Sequence, residues 1–213
     1  MMLTLADAVA GYAAPVSPPA TFSVARGEVV GLAGPSGIGK STLLKAVLGT
    51  ATLFAGRIER ASGIRIGYLP QQPVRLPEVP LSGRELLAIL GADHLLPPAR
   101  LAEKLAMRID CLSGGEYQLL MLWATLAGQA DLILLDEPTN NLDAGHIRTA
   151  IDEIAAMRPQ RATLVVSHDR AFLDAVCTRI VSLERRIGRW PQRSIDQGNR
   201  KRSCVIGVAH ADG

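Results

Sequence analysis

Gly34-Pro35-Ser36-Gly37-Ile38-Gly39-Lys40-Ser41-Thr42 lies between an apolar run, Val29, Val30 and Leu32, and a helix-like run from Leu43 to Leu48. Strand, glycine loop and helix start, in that order, are the context in which a phosphate-binding loop works. Glycines let the backbone turn so that successive N–H groups point inward as an anion nest, and the positive end of the following helix adds to the field. Lys40 then reaches the β- and γ-phosphates of a nucleotide, and Ser41 places its hydroxyl on Mg²⁺. A glycine-rich turn capping an ordinary helix shares this local pattern, so the rest of the chain decides between the two.

At 213 residues, 48% of them hydrophobic, the chain suffices for one well-buried domain with a small inserted subdomain. It is too short for two full nucleotide-binding units. No apolar run approaches the roughly 18 residues of a membrane helix, and the N-terminus lacks a basic-then-apolar signal segment. The expectation is a cytoplasmic chain that meets the membrane only through a partner. Cys111, Cys177 and Cys204 are widely spaced and odd in number, which points to neither a disulfide framework nor a zinc site. Cys111 is expected to be a small buried thiol. The net charge of +3 is a property of the tail. Residues 1–184 hold 16 Lys and Arg against 18 Asp and Glu, whereas 185–213 hold 7 against 2. With few aromatic residues for base stacking, no nucleic-acid partner is expected.

Leu3, Leu5, Ala8, Val9 and Tyr12, then Thr21 to Val24, read as strands separated by a Pro-rich turn. The helix after the loop stops at Gly49, and short β-like runs follow at Gly56 to Glu59 and Ile64 to Leu69. From about Gln71 to Leu112 the β-branched runs disappear. Ser82 with Glu85 opens one helix that stops at Gly91, and Pro97-Pro98 opens a second segment with Leu101 and Leu105 on one face. Leu112-Ser113-Gly114-Gly115-Glu116 begins a further helix that runs to Gly128. Leu132 to Leu135 and Thr163 to Val166 are fully apolar and read as buried parallel strands, the first delivering Asp136 and Glu137, the second Ser167, His168 and Asp169. Between them Ile147, Ala150, Ile151, Ile154 and Met157 keep helical spacing, and Ile180 to Leu183 is a last strand. The pattern is an α/β domain with a mostly parallel sheet.

Asp136 and Glu137 are adjacent at a strand end, so alternation along the strand predicts different directions and different roles. Asp136 is the candidate for the Mg²⁺ shell and Glu137 for polarising an attacking water. His168 follows the next buried strand and so lies near the same sheet edge. Gln71 stands where the sheet passes into the helical insertion, a place from which a γ-phosphate can be sensed. Ser113-Gly114-Gly115 is a second glycine-flanked helix start, by itself an ordinary capped helix; beside a first phosphate loop in a chain with length for one domain, it points to ATP held by another copy.

These residues together resemble the nucleotide-binding subunit of an ATP-binding cassette transporter, over about residues 1–188. Gly34 to Thr42 resembles the Walker A loop, Gln71 the Q-loop, Leu112 to Glu116 the LSGGQ signature in an LSGGE form, Leu132 to Glu137 Walker B, Asn141-Leu142-Asp143 the D-loop, and His168 the switch histidine. The resemblance implies a P-loop NTPase core with an N-terminal antiparallel β portion, a helical subdomain at about 71–127 and a tail, 189–213, expected to be flexible. It implies that Tyr12 stacks on adenine. It also implies a homodimer, or a heterodimer with a second cassette, sandwiching two ATP molecules. In that dimer Ser113 and Gly115 bind the partner's γ-phosphate, Asp143 couples the sites, and Glu137 and His168 assist hydrolysis, with Gln71 and Lys40 on the phosphates and Mg²⁺. Integral membrane permease subunits and a substrate-binding protein complete such a machine. Ile66 to Gln71, Pro80-Leu81, the short insertion and LSGGE resemble the ATPases of zinc and manganese importers. Asp136 to Asp143 (DEPTNNLD) and Ser167 to Asp174 (SHDRAFLD) resemble instead the soluble cassette proteins that act on ribosomes.

Overall fold

The apolar runs become the strands of two sheets in a computed structural model that describes residues 1–75 and 79–184. The expected flexible tail at 189–213, with Trp190 and Cys204, lies outside the described residues. The strands are β1 (Leu3–Gly11), β2 (Ala20–Val24), β3 (Val29–Ala33), β4 (Thr52–Arg60), β5 (Ile66–Leu69), β6 (Leu132–Asp136), β7 (Ala162–Val166) and β8 (Arg179–Ser182). The helices are α1 (Lys40–Leu48), α2 (Gly83–Ile89), α3 (Ala99–Ala102), α4 (Gly114–Ala127), α5 (Ala144–Met157) and α6 (Arg170–Val176).

Five strands in the order β5-β6-β7-β3-β8 pair in parallel throughout. Every residue of β6 and β7 is buried, as strands covered on both faces require. The other sheet is antiparallel, β2-β1-β4. β4 is longer than the Gly56 to Glu59 run that reads as a strand in the sequence, because Thr52–Ala55 join it on the far side of the Gly56 bulge through pairing with Val9–Gly11 of β1. Gly56 sits at φ 71 where the β1 register shifts, and a Cβ there would stand 2.2 Å from the Asp7 carbonyl oxygen. Only glycine tolerates that bulge.

Helix α1 packs between the two sheets, with Leu43, Leu44 and Val47 against Leu3, Leu5, Leu132 and Leu164. The opposite face of the parallel sheet is covered by α4, α5 and α6, through Leu119, Leu122, Leu126, Ile154, Phe172 and Leu173. Helix α4 is apolar on two sides. Leu119, Leu122 and Leu126 meet the sheet, while Tyr117, Leu120, Trp123 and Ala127 meet Leu87, Leu101 and Leu105 of the helical insertion. A helix buried on both faces carries little amphipathic contrast, and here it joins the two parts of the fold. The insertion holds α2, α3 and a 3₁₀ turn at Ile109–Cys111. Helix α6 has no counterpart in the sequence reading. Its signals are the Asp169 cap on the Phe172 N–H and the spacing of Phe172, Leu173 and Val176.

Candidate functional site

The loop at 34–42, the ends of β6 and β7 and the start of α1 meet at the carboxyl edge of the parallel sheet, where open α/β sheets bind ligands. Gly39 precedes α1 in the left-handed region at φ 99, and a Cβ on it would stand 2.7 Å from Ser17 Cα. Both conditions demand glycine. Gly34, Pro35, Ser36 and Gly37 face outward or lie part-buried, while Ile38, Lys40 and Thr42 are buried. Lys40 Nζ donates to the carbonyls of Gly34 at 2.8 Å and Pro35 at 3.1 Å, so the ammonium folds into the mouth of its own loop.

Ser41 Oγ donates to Asp136 Oδ1 at 2.8 Å, joining the loop to the end of β6 across 95 residues of chain. Asp136 is 2% exposed, and burial pushes its carboxyl above the usual carboxylate range, with the Ser41 hydroxyl pulling the other way and Glu137 adding to the rise. The hydroxyl of Tyr68 on β5 stands 3.5 Å from Asp136 Oδ2, and burial, then Asp136, pushes that phenol upward. One hydroxyl and one carboxylate side by side are hard oxygen donors. They fit Mg²⁺, whose remaining positions go to water and phosphate oxygens.

Asp136 and Glu137 do diverge, but not by strand alternation. The strand ends at Asp136, and Glu137 turns into the left-handed region at φ 49, with its N–H donating to Val166 O at 2.8 Å. A positive φ on a glutamate is uncommon and aims the side chain towards the end of β7. There Glu137 Oε2 accepts from Ser167 Oγ at 3.2 Å and the His168 N–H at 3.2 Å, and His168 Nδ1 lies 2.8 Å from the same oxygen. The carboxylate is 9% exposed and the imidazole 65%, so the ring is the part a ligand reaches.

A second group of candidates lies at the start of α4. Ser113 and Glu116 form the expected reciprocal cap, with the Glu116 N–H donating to Ser113 Oγ at 3.2 Å and the Ser113 N–H to Glu116 Oε2 at 2.8 Å. Gly115 lies so close to the turn between β6 and α5 that a Cβ on it would stand 2.7 Å from the Asn141 carbonyl oxygen, whereas one on Gly114 would meet nothing nearer than Asn141 Cβ at 3.9 Å. Asp143 caps α5, and the His146 N–H, bonded to it at 2.8 Å, holds its carboxyl below the usual range. Gln118 Nε2 donates to Pro138 O at 3.4 Å, tying α4 to the turn after Glu137.

The structure therefore brings Ser41 to Asp136, Glu137 to His168, and Gly115 to the segment that ends at Asp143. Among the described residues no hydrogen bond joins Ser113–Gly115 to the 34–42 loop. Gln71 is exposed just beyond β5, and Tyr12 falls one residue past the end of β1, 53% exposed. Cys111 is exposed, not buried as expected, because the 3₁₀ turn at Ile109–Cys111 directs Ile109 and not the thiol into the core. The sequence assigns no role to Tyr68 or Ser167, which the structure places against Asp136 and Glu137. Ser167 was legible as the neighbour of His168 at a strand end, whereas the Tyr68 contact depends on the β5–β6 register.

Residues 18–140 match the family described as ABC transporter (ABC_tran). The zinc import ATP-binding protein ZnuC of Marinobacter nauticus is 35% identical over 180 residues, covering 81% of this chain and 70% of that protein. Among solved structures, one described as the ATP binding subunit of an ABC transporter superposes with a TM-score of 0.73 at 26% identity, over 86% of each chain. A chain of the complex of archaeal ribosomal stalk protein aP1 with archaeal ribosome recycling factor aABCE1 has a TM-score of 0.72 at 27% identity, over 87% of this chain and 38% of the other. The glycine loop, the two strand-end acids and the histidine thus stand in a chain that belongs to the ABC transporter family, as one of its ATP-binding, ATP-hydrolysing subunits.

Proposed function

We propose that this chain is the ATPase of a divalent-metal importer, zinc being the favoured cargo, and that it works as a pair of cassettes on permease subunits. The observation that carries the catalytic part is the pairing at one sheet edge of Ser41 with Asp136 and of Glu137 with His168, at 2.8 Å each. The similarity to a zinc-import ATPase supports the cargo. In this reading the backbone N–H groups of 34–42 cradle the phosphates, and Lys40 leaves the carbonyls of Gly34 and Pro35 for the β- and γ-phosphates. Ser41, Asp136 and Gln71 would hold Mg²⁺, which supplies charge neutralisation on the phosphate oxygens.

Glu137 accepts a proton from the attacking water as its oxygen bonds to the γ-phosphorus and the bond to the bridging oxygen breaks, leaving ADP and phosphate. Ser167 and His168 orient the carboxylate for that transfer. Tyr12 packs on the adenine. Ser113, Gly114 and Gly115 of one copy meet the γ-phosphate held by the other, with Asp143 at the seam. The permease engages the surface around Gln71 and the helical insertion, which places the chain at the cytoplasmic face of the membrane, served from outside by a substrate-binding protein. Among the described residues no helix is long and apolar enough to cross a membrane.

A soluble cassette acting on ribosomes is the second reading, and the ribosome recycling likeness favours it. One experiment separates the two. Tagged chain carrying Glu137→Gln is produced in the source cell, supplied with ATP, extracted in mild detergent and analysed by mass spectrometry. Co-purification of a polytopic permease whose loss impairs zinc uptake is the expected result. Ribosomal proteins without a permease would overturn the importer reading.

A further inference from the structure

The N-terminus of a helix carries partial positive charge and disfavours cations, yet two cations converge on the start of α4. Lys104, just beyond α3, places Nζ 3.1 Å from Glu116 Oε1. Arg75 donates from its two terminal nitrogens to Leu112 O at 2.9 Å and Ser113 O at 2.6 Å, with its guanidinium 4.6 Å from the centre of the Tyr117 ring. The carboxylate of Glu116 explains the presence of Lys104, whereas Arg75 is held by the two carbonyl oxygens and the Tyr117 ring. The carboxylate turns back to the Ser113 N–H, while the Glu116 N–H is taken by Ser113 Oγ. Among the described hydrogen bonds, the N–H groups of Gly114 and Gly115 have no acceptor. They are the donors left for an incoming anion, and a carboxylate stands beside them. The Ser113 N–H and then Lys104 hold the Glu116 carboxyl below its usual range, so it is charged at neutral pH.

An uncompensated carboxylate there would repel a phosphate from the same two donors. We propose that Lys104 is a positioning residue that neutralises Glu116, and that this pairing is what lets a helix start bearing a carboxylate accept the terminal phosphate of ATP carried by a second copy. The inference rests on the two-cassette reading above. Arg75 adds a second positive charge at the same place, but it is bonded to carbonyl oxygens and not to the carboxylate, so the compensation of Glu116 falls to Lys104.

The test is a double-mutant cycle on the full chain carrying Glu137→Gln, read as the ATP concentration that gives half-maximal association by light scattering. Lys104→Met is expected to raise that concentration about three- to tenfold at low salt. In a Glu116→Gln background, with no carboxylate to compensate, the same substitution is expected to shift it less than about twofold. Lys104→Arg, which keeps the charge, is expected to stay near the parent. The thermal midpoint of Lys104→Met should remain close to the parent's, since a part-exposed ion pair contributes little to folding. Equal shifts in both backgrounds would overturn the inference, because Lys104 would then act on the nucleotide or the fold and not through Glu116. So would no shift in either. Ser113→Ala is measured alongside. If it raises the ATP concentration for half-maximal association while Lys104→Met does not, the inference alone falls. If the parent does not associate at all, the two-cassette reading falls and takes the inference with it.

Discussion

Gly114 and Gly115 are neighbours in the same helical turn, and alanine at each should move stability in opposite directions. A methyl on Gly115 would stand 2.7 Å from the Asn141 carbonyl oxygen, roughly 0.8 Å inside favourable contact. Relief is difficult because both partners are held. Asn141 is at φ 63 in the turn that leads to the Asp143 cap, and α4 is buried on two faces. Overpacking of this kind costs about 1–3 kcal/mol. Removing a glycine from the unfolded chain returns about 0.4–1 kcal/mol, so Gly115→Ala should be destabilising by about 1–2 kcal/mol. A methyl on Gly114 meets nothing nearer than 3.9 Å, which leaves only the gain of about 0.4–1 kcal/mol. For a domain of this size the two variants should differ by about 3–12 °C in Tm. Thermal unfolding by circular dichroism without nucleotide, checked by urea midpoints, measures it. Shifts of the same sign, or a Gly115→Ala variant as stable as the parent, would refute the close approach of α4 to the 139–143 turn.

Asp136→Asn should stabilise the nucleotide-free chain at neutral pH by about 0.5–2 kcal/mol while abolishing ATP hydrolysis. Burial raises the folded-state carboxyl above its unfolded value, so the native state binds more protons in that window and the penalty grows as pH rises through it. The advantage of Asp136→Asn should therefore vanish as pH falls below the ordinary carboxylate range, which unfolding curves at several pH values will show. Glu137→Gln should lower kcat by about 10²–10⁴ and leave ATP affinity largely intact, measured by phosphate release and equilibrium binding. Burial pushes the Cys177 thiol up to about 12, and its sulfur stands 2.8 Å from where a Cβ on Gly31 would be. Iodoacetamide at pH 8 should therefore label exposed Cys111 and spare Cys177 in the folded chain, by peptide mapping.

Legibility followed the range of the signal. The glycine loop, the caps at Ser82, Ser113 and Gly49, and the buried strands at Leu132 and Thr163 are local patterns, and each appears where the sequence places it. Helix α6 is not legible because seven residues offer barely two turns of periodicity and, unlike α2 of the same length, it has no reciprocal Ser–Glu cap to mark its start. The full length of β4 is not legible because Gly56 interrupts the run and the pairing of Thr52–Ala55 with β1 resumes only across the bulge. Cys111 was misplaced because its burial is decided by the direction of a single 3₁₀ turn, for which composition gives no sign. Asp136 and Glu137 were assigned different directions for a reason that does not apply, since the strand ends between them and the left-handed φ of Glu137 does the turning.

What the sequence by itself determines is the order of the parts: a phosphate-type loop, a helical insertion with a capped glycine helix, strand-end acids and a strand-end histidine. Those follow from spacing, side-chain chemistry and backbone preference, which act over a few residues. Only the tertiary structure decides that Ser41 meets Asp136 across 95 residues and Glu137 meets His168 across 31. It alone sets Lys104 against Glu116 and presses Gly115 onto Asn141. These are distances between separate elements, set by parallel strand register and by the packing of α4 on two cores, and no local pattern in the chain encodes them.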